Sequence, residues 1–391
     1  MHLDSLKIQN FRMLENIEVK KLGHVNLIVG KNNSGKSTVL EAITLLAGGF
    51  QRSAVSKVAS NRDDLKYVQV GDSRREMRIA FENFFTNRIY PQDEEASLYI
   101  GNESLSVTVH HILYQDIENI EEAEGSISVR REQRVINKKE LESDPTSFEN
   151  IHSGLQVKIS DNKPKIINLE EDDSLSFRRF QTFEKSLSFS YIDSHVSSID
   201  DLAKEFDDLV FTEDEALVVE ALKIIEPNIE DLAFLNDDYQ HRRFDSQRFR
   251  PSDEMRVPYV KILNVKGRIP IHSMGDGVIR LLQIIIRIFN ARNGFLLIDE
   301  FENGLHYSVQ SDVWRLIFDL AHRYNIQIFA TTHSWDCIES FAQVAKERED
   351  LEGVLFRMGR SVRKSDNGKV IATEFNEAEL YSLTKENIEV R

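Results

Sequence analysis

Gly30-Lys31-Asn32-Asn33-Ser34-Gly35-Lys36-Ser37 decides how this chain is read, because it fits the pattern G-x-x-x-x-G-K-[ST]. Small, turn-prone residues at this spacing let consecutive backbone N–H groups curl around a cluster of anionic oxygens. Lys36 is expected to place its ammonium on the β- and γ-phosphates of a nucleotide, and Ser37 to offer a hydroxyl to Mg²⁺. Gly30, Lys31, Asn32, Asn33, Ser34, Gly35, Lys36, Ser37 and Thr38 are therefore the expected ATP-binding set. The flanks agree with this. Val25-Asn26-Leu27-Ile28-Val29 reads as a buried parallel strand. Residues Ser37 to Leu46 read as a helix, with Val39, Ile43 and Leu46 on one face and Gly48-Gly49 as the stop. Strand, loop, helix is the order the loop requires, and a glycine-containing loop that matched by accident would not bring it.

The chain of 391 residues is 41% hydrophobic and 29% charged, the profile of a folded protein with a substantial core. A formal net charge of -16 repels phosphate backbones and anionic membranes, so nucleic-acid binding would need a local basic patch. The single cysteine, Cys337, excludes an internal disulfide and a multi-cysteine zinc site and suits a reducing cytosol. The first residues lack the basic start and apolar run of a secretory signal. Leu281 to Ile288 is interrupted by Gln283 and Arg287 and is too short to span a bilayer. A cytoplasmic protein with no membrane segment is expected.

Taken in order, Ser5 to Asn10 and Asn16 to Lys20 read as strands that lead into the phosphate loop. Lys57 to Asp72 resists assignment, and Met77 to Phe85 has strand composition. From about residue 86 the texture changes. Ser104 to His110, Ser126 to Arg130, Leu155 to Ile159 and Leu187 to Tyr191 read as strands, separated by polar clusters such as Glu118 to Gly125 and Glu170 to Ser174. Ile199 to Leu235 carries apolar residues at helical spacing and reads as two or three helices, with Pro227 ending the second. The expected division is residues 1–85 as the first part of a nucleotide-binding head, 86–240 as an insertion, strand-rich then helical, and 241–391 as the rest of the head. Arg242, Arg243, Arg248, Arg250, Arg256, Lys261, Lys266 and Arg268 make 241–268 the long basic segment of an acidic chain. That segment is the candidate for DNA contact; an exposed hairpin or a subunit contact would carry the same residues.

The second half of the site follows. Phe295-Leu296-Leu297-Ile298-Asp299-Glu300 is an apolar strand that ends in two carboxylates. The first acid at such a strand end holds Mg²⁺ and the second orients and deprotonates water, so Asp299 is the expected metal residue with Ser37, and Glu300 the expected base. Ile326 to Thr331 is a further apolar strand, and His333 just beyond it falls where the ligand crevice of an α/β sheet lies. Ser273 and Gly275, at the start of a helix over Val278 to Phe289, would present N–H groups, a hydroxyl and a favourable dipole to an anion.

These parts together resemble the ABC-type ATPase heads of the SMC and RecF group, and most nearly the compact bacterial ATPases related to the OLD proteins. Ile8-Gln9-Asn10-Phe11-Arg12 is similar to that group's first strand, and Glu302-Asn303-Gly304-Leu305-His306 to the turn after its two acids. The resemblance covers roughly residues 1–85 and 260–345. It implies an α/β P-loop NTPase fold with a mixed sheet, and an ATPase whose two heads sandwich ATP and Mg²⁺ in an ATP-dependent homodimer or higher oligomer. Ser273 and Gly275 would then contact the γ-phosphate of the other subunit, and His333 would be the switch histidine. The group's metal-coupling glutamine has two candidates, Gln69 and Gln92. The OLD nucleases carry a C-terminal nuclease domain, for which the residues after His333 are too few, so an effector partner, nuclease or toxin, is implied for any cleavage or phage-defence role. Two other readings stay open: a ring-forming remodelling ATPase that uses Thr331 or Thr332 as phosphate sensor, and an ATP-gated scaffold.

Overall fold

The structure, a computed structural model, describes residues 2–70, 74–91, 96–123, 126–144, 147–148, 150–170, 187–194, 199–236, 256–348, 351–366 and 368–375. Its organising element is a sheet built from strands that are apolar on both faces. β3 (Val25–Val29) is buried at all five positions, and so are β15 (Phe295–Ile298) and β16 (Gln327–Thr332) at theirs. Two-sided burial is what a parallel strand with cover on both faces requires. With β11 (Phe189–Ile192), β17 (Gly353–Arg360) and β18 (Val370–Phe375) they form one sheet in the order β11-β15-β16-β3-β17-β18. All pairings are parallel except β17 with β18, so the sheet is mixed, as expected.

One face of this sheet carries α1 (Lys36–Ala47), in which every residue but Ser37 is buried. A helix buried all round needs cover on its far side too. A second, antiparallel sheet supplies it, in the order β10-β9-β7-β6-β1-β2 with β8 paired to β7. Its strands are β1 (Leu6–Phe11), β2 (Leu14–Val19), β6 (Leu98–Gly101), β7 (Ser106–Ala123), β8 (Ser126–Ile136), β9 (His152–Ile159) and β10 (Lys165–Asn168). Ile8, Ile17, Ile100, Val109 and Val157 of that sheet share a core with Ile43 of α1 and with Ile28, Leu297 and Phe329 of the parallel sheet. The strand-rich stretch after residue 86 thus continues the sheet that β1 and β2 begin, through the β1–β6 pairing.

Other elements complete the core. α2 (Arg52–Ser60) and the β4–β5 hairpin (Leu65–Val70, Arg74–Ile79) follow α1, and α3 (Lys138–Ser143) follows β8. On the opposite face of the parallel sheet lie α4 (Ile199–Asp207), α5 (Glu213–Leu222), α6 (Asp276–Asn290), α7 (Tyr307–Arg323) and α8 (Trp335–Glu347), with Val25, Leu27, Ile298 and Ile328 in their core. A small sheet of β12 (Ile229–Asn236), β13 (Arg256–Ile262) and β14 (Ile269–Pro270) joins them. Gln327 ties the start of the chain to the sheet. Its amide donates to Leu3 O at 2.7 Å and Gly23 O at 2.8 Å, and its Oε1 accepts from Leu3 N at 2.8 Å.

Several local expectations are corrected. Residues 229–236, most of which fall in the stretch to Leu235 read as two or three helices, form β12, and Ile229 and Leu232 are spaced by three because the register shifts by a bulge between Ile229 and Asp231. The strand expected to run from Met77 to Phe85 ends at Ile79; Phe81 and Phe84 are buried from a short 3-10 turn, a spacing that strand alternation cannot satisfy. The polar stretch from Glu118 does not separate strands, since β7 continues to Ala123 paired with β8. Gly125, Gln92, Arg242, Arg243, Arg248, Arg250 and the residues after Phe375 lie outside the described residues.

Candidate functional site

The loop between β3 and α1 has the backbone that its glycines permit. Gly30 has φ 148 and Gly35 φ 96, and Asn33 takes the left-handed conformation at φ 60. At Gly30 a Cβ would lie 2.2 Å from Met358 O, so the loop is pressed against β17. Lys36 donates from Nζ to Gly30 O at 2.7 Å and Lys31 O at 3.1 Å, lying across the loop it belongs to. Burial pulls its ammonium below the usual lysine range, and Asp299, Glu302 and Glu300 oppose the shift. Ser34 Oγ is buried and has no hydrogen-bond partner among the described residues. A glycine-bent loop running into the N-terminus of α1 is the arrangement that cradles an anion.

The end of β15 meets this loop. Ser37 Oγ donates to Asp299 Oδ1 at 3.0 Å, bringing together residues 262 apart in sequence. The same Oδ1 accepts from Thr331 Oγ1 at 2.6 Å, and that hydroxyl accepts from Glu300 N at 2.8 Å. Thr331 thereby locks both acids, and it does so with Glu300 at φ 50, a strained angle for a residue with a side chain. Glu300 Oε2 accepts from Asn303 Nδ2 at 2.8 Å, and Asn303 also donates to Ser194 O. A hydroxyl and a carboxylate are hard oxygen donors, the chemistry Mg²⁺ prefers when phosphate oxygens and water complete its shell. No cluster of three or more His, Cys, Asp or Glu able to hold a metal unaided occurs among the described residues.

His333 sits at the end of β16, half-exposed, with Nδ1 3.1 Å from Glu302 Oε1. That oxygen also accepts from the backbone N–H of His333 and of Ser334, at 2.9 and 3.1 Å. Glu302 is thus the anchor of the histidine turn. Ser273 lies in a 3-10 turn over Ile271–Met274 and donates to Pro270 O, and Gly275 caps α6 at φ 96 with open space around it. Neither hydrogen-bonds to residues 30–38 among the described residues. Their helix is instead joined to the two-acid turn: a Cβ at Gly277 would lie 2.6 Å from Gly304 O.

Arg280, one turn into α6, strengthens that joint. It is buried and donates to Asp193 O at 2.7 Å, Asp299 O at 2.7 Å and Glu300 O at 3.0 Å. Burial lowers its pKa to about 10, against the pull of Asp299, Glu302, Glu300 and Asp193. Sequence reasoning missed Arg280; it placed Glu302 in the turn after the two acids, as part of a loop the resemblance sets at the dimer interface, and not as a partner of His333. The one available signal was an arginine, with Gln283 and Arg287, inside an otherwise apolar helix. Behind the loop, Glu41 of α1 is buried between Arg12 and Arg62, 2.9 and 2.6 Å away, and Arg12 also pairs with Asp64 at 2.7 Å.

Two further expectations concern Gln69 and the basic segment. Gln69 is exposed on β4. In the described part of the basic segment, Arg256 pairs with Asp207 and Lys261 with Glu230, while Arg268 lies over the Tyr259 ring at 4.6 Å.

The AAA ATPase domain family matches residues 1–338. A protein described as an ATP/GTP phosphatase from Helicobacter pylori is 24% identical over 364 residues, 89% of each chain. DNA replication and repair protein RecF from Listeria monocytogenes is 36% identical over 80 residues, 20% of each chain. Among solved structures, an SMC head bound to the C-terminal winged-helix domain of ScpA is similar at TM-score 0.47 with 13% identity, covering 96% of this chain and 98% of that one. The SMC head domain from Thermotoga maritima gives 0.45 and 11%, covering 96% and 100%. No helix among the described residues is long and apolar enough to cross a membrane.

Proposed function

This chain belongs to the AAA ATPase domain family, and from that premise we propose that it is an ATPase head of the SMC and RecF kind that binds ATP with Mg²⁺ and hydrolyses it as an ATP-driven dimerisation switch. The observation that carries the reading is the 3.0 Å bond between Ser37 and Asp299, which joins the two sequence halves of the site at the ends of β3 and β15. Residues 30–38 would cradle the phosphates, and Ser37 and Asp299 would hold Mg²⁺. Glu300 would take a proton from water as the water attacks the γ-phosphorus, and ADP leaves with the bridging oxygen. His333, steadied by Glu302, would reach the γ-phosphate.

Ser273 and Gly275 have no partner at the loop of their own chain, which supports a role on the loop of a second copy. Closure would then be reported to a partner through the Gly277–Gly304 contact and Arg280. An effector nuclease or toxin, in phage defence or DNA repair, is the kind of partner the family resemblance suggests. The carboxylate pairing of Arg256 and Lys261 weakens the case for DNA contact through that part of the basic segment.

The test is Glu300→Gln. Hydrolysis should fall by about a hundredfold or more while ATP affinity is kept, and a dimer should accumulate with ATP in size-exclusion chromatography. A parental hydrolysis rate in this variant removes Glu300 as the base. A hexamer that persists in Ser273→Arg would instead favour the ring-forming reading.

A further inference from the structure

The parallel sheet closes its β11 edge with side chains: Arg287 and Arg280 of α6 donate to Tyr191 O at 2.6 Å and Asp193 O at 2.7 Å. Its other outer strand, β18, lies against β2, where Glu374 accepts from Lys20 N. The β4–β5 hairpin is different. Among the described residues β4 pairs with β5 alone, which leaves its outer edge open. An open edge is a template for another strand, and proteins blunt it with a bulge, a proline or a charge.

One bond shows which groups face outward. Ala80 N donates to Asp64 O at 2.9 Å, so Asp64 faces β5, and by alternation the N–H and C=O groups of Leu65, Tyr67 and Gln69 face away from it. Their side chains share one face of the ribbon. Tyr67 is 73% exposed there, and Met77, directly opposite it on β5, 57%. The usual defences are missing. The register runs unbroken from Leu65 with Ile79 to Val70 with Arg74, so there is no bulge. β4 holds no proline, and its one charge, Lys66, lies on the other face and is held by Glu82 at 2.7 Å. A lone two-stranded ribbon is marginal in water and gains from added strands.

Charge argues for what covers this edge. A chain of net charge -16 repels its copies over most of its surface, but β4 contains no acid. Set antiparallel against itself about Tyr67, it opposes Leu65 to Gln69 and Lys66 to Val68, and no like charges meet. The two Tyr67 rings then face each other, an aromatic cross-strand pair, with Met77 outside each. A patch that complements itself in this way makes an isologous, twofold contact. We infer that β4 is a strand-addition site for a second copy of this chain, joined β4 to β4 about a twofold axis at Tyr67. One short strand on each side makes the contact reversible, and no part of it involves nucleotide.

The test uses the full chain without nucleotide. Its single cysteine, Cys337, is buried, so an introduced thiol reports alone. Tyr67→Cys and Met77→Cys are compared under a mild oxidant. In the twofold pair the two positions 67 are about 5.5 Å apart between Cα atoms, within disulfide reach. The two positions 77 are three strand spacings apart, about 14 Å, and beyond it. Tyr67→Cys should form covalent dimer about tenfold faster or more, because only its thiols are held together. In sedimentation equilibrium the parent's average mass should rise with concentration, and that of Gln69→Pro should stay at one chain. This proline removes only an outward N–H, and an unchanged urea midpoint shows that the variant is folded. Equal cross-linking at the two positions, or none at position 67, overturns the inference. So does a folded Gln69→Pro that associates like the parent. A parent fixed at one chain overturns it as well and points to an extended segment of another protein at this edge. Because ATP is absent throughout, none of these results bears on the hydrolysis reading.

Discussion

Replacing Arg280 by Met tests whether α6 and the two-acid turn are one mechanical unit. The guanidinium makes three part-buried hydrogen bonds to main-chain carbonyls, those of Asp193, Asp299 and Glu300. Bonds of this charged kind contribute about 1.5 to 3 kcal/mol each with desolvation already counted. Burial nevertheless pulls the guanidinium's pKa down to about 10, which places the three together near the low end of their sum. Met fills similar volume but gives the carbonyls no donor. The destabilisation is therefore roughly 3 to 5 kcal/mol, at the upper end of single-residue effects. Urea unfolding of the parent and variant measures it. Arg280→Lys should recover part of the loss, because an ammonium can serve fewer of the three carbonyls at once. A loss under about 1 kcal/mol for Arg280→Met would refute the argument: the carbonyls would then be satisfied by solvent, and α6 would not be fixed to the acids through this residue.

Two other substitutions probe the same framework. Gly30→Ala sets a Cβ 2.2 Å from Met358 O at φ 148, so strain and overlap should cost about 3 kcal/mol or more; urea unfolding that moves by under about 1 kcal/mol would mean that the loop and β17 can part freely. Glu302→Ala leaves the backbone N–H of His333 without its acceptor and that of Ser334 with Thr332 Oγ1 alone, at 3.0 Å, and should cost about 1 to 3 kcal/mol with faster amide exchange at His333; unchanged exchange there would dismiss Glu302 as the anchor of the turn.

What could be read in the sequence was whatever is encoded locally. β3, β15 and β16 are continuous apolar runs because both their faces are covered, and such runs stand out without knowledge of the neighbours. The phosphate loop and the paired acids were legible because the chemistry demands particular residues at fixed spacing. Strand partners were not. Alternation marks Ser104 to His110 as a strand but does not say that β6 joins it to β1, a pairing made across some 90 residues. In β12 a bulge turned period two into an apparent period of three. Arg280 was invisible as a site residue for another reason: its partners are main-chain carbonyls, which leave no mark in side-chain patterns.

The accuracy of the site depends on residues that take no part in it. Asp299 follows Ile298, which is level with Ala330 of β16; Thr331 is level with Ile28, and Thr332 with Val29 at the foot of the loop. A slip of β15 by one residue would carry Asp299 about 3.3 Å along the strand and turn it to the other face. Neither Ser37 nor Thr331 could then reach it. The apolar run of β15 alone would tolerate such a slip, since both of its faces are greasy. Its ends do not. At Gly294 a Cβ would lie 1.8 Å from Ser188 O, so only glycine fits beside the chain entering β11, and a slip would bring Asn293 or Phe295 into that contact. At the other end Asp299 N donates to Ile192 O at 2.9 Å and Phe301 N to Thr331 O at 2.9 Å. The register of β15 is therefore fixed by a glycine at its start and backbone bonds at its finish, and the position of the acid over the loop follows from these.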